Sequence, residues 1–148
     1  MHQILIKIHV WSSILFLIVA IILCVISIIG FIKKSEFTKK HIFIENIFIA
    51  LLYLGLILGI ILYFFISPNK NLDGITYEIA QKDFNSRFWA IEHFSVMLFA
   101  LLLSQIGKIF TKKSIKNQDK FKYAIFYYGA ATLITIFSTG IFLYYKFI

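Results

Sequence analysis

Four long apolar runs, at 8–32, 42–66, 88–106 and 123–145, divide this chain, and lysine-bearing or mixed-charge loops separate them. A bilayer's hydrocarbon core takes about 20 apolar residues in a helix to cross. Each run meets or nears that length. The expected fold is an all-α integral membrane four-helix bundle, with spans at about 8–32, 42–66, 88–110 and 123–145. Hydrophobic residues make up 60% of the 148 and aromatic ones 18%, against about 45–50% apolar in a soluble domain. Subtracting the spans leaves short loops, so 1–148 reads as a single transmembrane domain without an extramembrane module.

The first run is 25 residues long and follows Lys7. A secretory signal core is shorter, about 7–15 residues, and ends at a small-residue cleavage site. Ile21-Ile22-Leu23-Cys24 also lacks the small residue expected just before a lipidated cysteine, so the run is expected to stay as a helix. Cys24 is the only cysteine, which excludes an internal disulfide and an all-cysteine metal site. Its ordinary role is that of a small apolar filler. Lysine outnumbers arginine fourteen to one, and Ile, Phe and Asn are abundant. That bias fits an AT-rich coding sequence and lowers the information in any single Ile, Lys or Phe.

Loop charge orients the spans. The first loop holds Lys33, Lys34, Glu36, Lys39 and Lys40, and the third holds Lys108, Lys112, Lys113, Lys116, Asp119, Lys120 and Lys122. Lys70, Asp73, Glu78, Lys82, Asp83 and Arg87 in the middle loop cancel. Short basic loops stay on the cytoplasmic side. The expected topology is N-out and C-out, multi-pass in a bacterial inner membrane. The net charge of +8 flanks spans, which implies contact with anionic lipid and not with nucleic acid.

In the middle loop, Ser67-Pro68-Asn69 ends the second span and Asp73-Gly74 marks a turn. From Thr76 onward, Tyr77, Ala80, Phe84 and Phe88 recur at helical spacing among Glu78, Lys82 and Asp83. That pattern predicts a short amphipathic helix on the outer surface between spans two and three, either a plain connector or a lid. Gly55 and Gly59 form a small-xxx-small pair that predicts close helix approach, so leucine at either is expected to overpack. Gly129, Ala130, Ala131, Thr132, Thr135, Ser138, Thr139 and Gly140 give the fourth span a weakly polar, small-residue surface.

Ionisable groups inside spans are costly and mark functional candidates. Here they are His9, Glu45, Glu92 and His93. Glu45 lies about a turn inside the second span, where Lys39 or Lys40 can pair with it at the interface. Glu92 and His93 point about 100° apart on a helix. Trp89, His93, Met97 and Ala100 share a stripe at spacings of four and three. His9 and His93 lie near the outer ends of spans running in the same direction. Two such imidazoles are the usual axial ligands of a membrane haem b, or else interfacial side chains bonding near headgroups. Their offset from the basic anchors differs by roughly 6 Å along the helix, which tilts of about 20° can partly absorb.

The string Glu92-His93-Phe94-Ser95-Val96-Met97, followed by Ile106-Gly107-Lys108, resembles the third span of a family of small, mostly uncharacterised bacterial four-helix membrane proteins. These are loosely grouped as cytochrome-b-like and copper-resistance-D-like. His9 with Trp11, and Gly59 with Tyr63-Phe64, match the family's first and second spans. Two departures stand out. Tyr53 occupies the family's second-span histidine position, and the Arg and Pro-Trp near the end of the fourth span are replaced by Ser138, Thr139 and apolar residues.

The resemblance implies a haem b-binding electron carrier, or a subunit of a respiratory membrane complex. His9 and His93 would be axial ligands, Met97 or Trp89 would pack on the macrocycle, and Glu92 would tune its edge or a proton path. A second reading is a cofactor-free accessory or assembly subunit that binds a larger membrane complex, or its own copies, through small-residue faces. A third is copper handling by His93, Met97 and His9, although Met1 and Met97 are the only methionines. No Ser-His-Asp set, phosphate loop or paired carboxylates appear, so hydrolase and nucleotide readings fall away.

Overall fold

A computed structural model describes residues 2–62 and 88–147. Among them the chain is all helical: α1 spans His2–Ile32, α2 Lys39–Ile60, α3 Phe94–Lys113 and α4 Asn117–Phe147, with a π-helical turn at Phe88–His93 leading into α3. All four are long and apolar enough to cross a membrane. The expected surface helix from Thr76, the turns at 67–69 and 73–74, and the end of the second span at 63–66 lie outside the described residues.

The helices outrun the apolar runs that predict them. α1 and α4 have 31 residues each, about 46 Å at 1.5 Å per residue. Hydropathy registers only the apolar stretch. Gln3 and Lys7, and Lys120 and Lys122, are competent helix formers and carry the coil on past it.

Tight connections close one end of the bundle. After α1 the Ser35 N–H donates to the Gly30 carbonyl at 3.1 Å and the Lys34 N–H to Phe31 at 3.3 Å. With Lys34 at φ 50°, this is the Schellman ending of a helix. Glycine is the residue that adopts that conformation freely. Lys34→Gly should therefore raise stability by up to about 1 kcal/mol, read as a higher melting temperature in detergent, whereas Lys33→Gly should not. Thr38 then starts α2, its N–H donating to His41 Nδ1 at 3.1 Å. The Phe37 N–H donates to Asn117 Oδ1 at 3.2 Å. That bond ties the first connection to the start of α4.

Each helix packs on its sequence neighbours and α1 closes the ring on α4, so α1 faces α3, and α2 faces α4, across diagonals. Phe48 sits at the centre, 5.0 Å from the Phe16 ring and 5.2 Å from Tyr128. Ala20, Leu23, Leu52, Ala100 and Ala131 fill the space around them. The distribution of polarity is inverted. Ser12, Ser27, Glu45, Ser104, Thr111, Thr132, Thr135 and Ser138 are buried, while Trp11, Leu133 and Phe137 are about 70% exposed. An apolar exterior of this extent is what lipid solvates.

Close helix approach occurs at glycines other than the expected pair. A Cβ at Gly30 would collide with the Phe121 ring, and one at Gly107 would lie 2.6 Å from Tyr127 Cβ. Gly55 faces open space, and a Cβ at Gly59 would meet only His9 Cε1, at 3.8 Å. The expectation of close approach is thus overturned for Gly55, which turns away from the neighbouring helices, whereas Gly59 faces α1 at ordinary contact distance.

Candidate functional site

Polar side chains gather in two layers inside the bundle. The first lies toward the end that holds the N-terminus of α1. His9 is half-buried there, and its carbonyl accepts hydrogen bonds from both Ser12 and Ser13 hydroxyls at 2.8 Å. Its Nδ1 is buried without a hydrogen-bond partner. Gly59 of α2 lies beside the ring, where a Cβ would stand 3.8 Å from His9 Cε1.

His93 comes from the opposite corner. It closes the π-helical turn, and its Nδ1 lies 3.4 Å from the Ser138 hydroxyl of α4. The Phe88 ring leans on it at 5.9 Å. His9 and His93 come near enough to interact electrostatically, although their helices are diagonal. The two expected ligands are thus brought together.

The π turn alters the expected stripe. Its i→i+5 bonding adds a residue to one turn, a distortion frequent at functional sites. His93, Met97 and Ala100 keep a common inward direction, with Met97 packed on the core and Ala100 fully buried. Trp89 lies within the widened turn, off the regular spacing; its side chain is outside what is described. Glu92 is half-buried on the same turn. Tyr53 is 44% exposed and accepts a hydrogen bond from Gln105 Nε2 at 3.1 Å. It therefore stands on a different face from the one turned to the histidines.

Haem suits this layer on one count that can be read directly. The Ser138 hydroxyl lies 3.4 Å from Nδ1 of His93, an orienting contact of the kind that metal-binding imidazoles make. His9 offers a second interior imidazole whose polar edge protein atoms do not satisfy. Among the described residues no three His, Cys, Asp or Glu side chains converge.

The second layer, nearer the tight connections, centres on Glu45. The sequence reading pairs it with Lys39 or Lys40 at the interface. The structure turns it inward, 2% exposed, within polar reach of the Thr111 and Tyr128 hydroxyls and within the field of Lys108 and Lys120. Tyr128 is fully buried. An intraspan carboxylate was legible as a signal, but its partners on α3 and α4 were not.

No protein-family model, curated protein or solved structure matches the chain.

Proposed function

We propose that this protein is a haem b-binding electron carrier, or the haem-bearing subunit of a larger redox membrane complex, held by His9 and His93. The observation that carries the proposal is the approach of two interior imidazoles from diagonally opposed helices. Haem so held would supply one-electron chemistry, with a potential set by ligand identity and burial. Ser138 would orient His93, Gly59 adds no side chain of its own beside His9, and Met97 gives the inner wall an adaptable apolar surface. Glu92, next to His93, places a carboxylate at the rim.

The visible spectrum of the detergent-purified protein tests this. A Soret band that shifts on dithionite reduction is the expected result. A helical preparation that stays colourless after haem reconstitution overturns it in favour of the cofactor-free accessory subunit.

The same reading places the protein in a bacterial inner membrane with its termini and the neutral middle loop outside. In a Cys24→Ala background, Asn71→Cys should react with an impermeant thiol reagent on intact cells and Lys116→Cys should not. The reverse pattern would move His9 and His93 to the cytoplasmic side.

A further inference from the structure

The layer around Glu45 has unmet polar capacity on three helices. Glu45 Oε1, the Tyr128 hydroxyl and the Ser27 hydroxyl are all buried and complete no hydrogen bond. Their residues are 2%, 0% and 1% exposed. Thr111 on α3 spends its hydrogen on the Lys108 carbonyl at 3.1 Å, which leaves its lone pairs to accept. Ser27 belongs to the same level. Gly30, a turn beyond it, faces Phe121, and Cys24, a turn before it, reaches Thr132. Those two contacts bracket Ser27 opposite the stretch of α4 that carries Tyr128.

Buried polar groups are normally satisfied by protein or by a bound species. A buried carboxylate without an opposite charge in contact is especially costly. The candidates for such a contact are Lys108 on α3, Lys120 on α4 and the lysines that open α2. None forms an ion pair with Glu45 among the described residues: the Lys108 amine instead donates to Asn46 Oδ1 at 2.6 Å, and Lys120 lies 5.9 Å over the Phe37 ring. From α1 the facing group is the uncharged Ser27.

We propose that Glu45, Tyr128, Thr111 and Ser27 form an intramembrane binding site for one small monovalent cation, a proton or a sodium ion, which neutralises Glu45. The donor set is all oxygen and drawn from four helices, as a hard cation requires. In the proton case Glu45 takes one proton from water, and the resulting acid donates it in a hydrogen bond to Tyr128. In the sodium case the carboxylate stays ionised and the hydroxyl oxygens turn their lone pairs inward. The site is separate from the histidine layer and does not depend on haem.

Infrared spectroscopy of the full chain in lipid distinguishes the two, because only seven Asp and Glu residues contribute bands. The difference between wild type and Glu45→Gln isolates the Glu45 signal. Exchange of a protonated-acid band for carboxylate bands as pH rises, in choline chloride, identifies the proton. A shift of the carboxylate bands on replacing choline by sodium at constant pH identifies sodium. A carboxylate signal indifferent to both overturns the proposal and leaves the lysine field as its neutraliser. Tyr128→Phe keeps the ring and the packing and gives a second arm should Glu45→Gln fail to fold. It should shift half-saturation about tenfold, the size of one hydrogen bond to a charged group. An unchanged midpoint there overturns the site as drawn.

Discussion

His93→Ala and His9→Ala are each expected to abolish the proposed low-spin haem binding, the largest effect expected of any single substitution in this chain. Each would remove one of the two proposed ligands and leave a void in apolar surroundings. Met97→Leu roughly conserves volume, so it retains haem and at most shifts its potential. Ser138→Ala keeps both histidines but removes the hydroxyl that lies 3.4 Å from His93 Nδ1. Loss of such an orienting partner typically weakens metal affinity about 10–100-fold. Glu92→Gln is expected to retain the proposed haem and to raise its potential, because a nearby carboxylate favours the oxidised iron. Reduced-minus-oxidised spectra and haem titrations read all of these. Loss of haem in Met97→Leu together with its retention in His9→Ala would replace the two-histidine arrangement.

Gly107→Leu destabilises the bundle by about 3 kcal/mol, the upper part of the range for overpacking a close contact. The new Cβ would sit 2.6 Å from Tyr127 Cβ. That atom is fixed to the α4 backbone and cannot swing aside, and the Tyr127 ring is stacked on Phe110 at 5.6 Å. Relief would require α3 and α4 to separate. Gly55→Leu and Gly140→Leu are the controls, since nothing lies within 4 Å of either position, and both should melt within error of the wild type. Equal melting of Gly107→Leu and Gly55→Leu in detergent would remove the inferred close contact.

The contrast between Gly107 and Gly55 shows what the sequence made legible. Span number and approximate position follow from length and hydropathy, and four helices of that character are found. Helix phase does not follow. On a segment such as α1, apolar on nearly every side, no stripe marks the inward face, so a glycine there reads the same whether it meets a helix or lipid. Glu45 shows the same limit. Its cost inside a span was visible, but Tyr128 and Thr111 come from chain positions far away and only packing brings them near. His9 and His93 stood out in the sequence because ionisable groups are costly inside spans, and the structure adds only that each lies within the other's field. Ser138 as the partner of His93 carried no signal, being one hydroxyl among several on α4.

The ring order has a consequence for how the molecule is put together. α1 with α2, and α3 with α4, are two antiparallel hairpins closed by short connections. The two central encounters join one hairpin to the other: His9 lies within the field of His93, and Glu45 within reach of Thr111 and Tyr128. Neither hairpin contains a complete ligand set by itself. Both proposed sites would therefore be completed only where the two halves pack together. Occupancy of either proposed site would then report on completed assembly, and an ion or macrocycle bound there would act as a rivet across the seam.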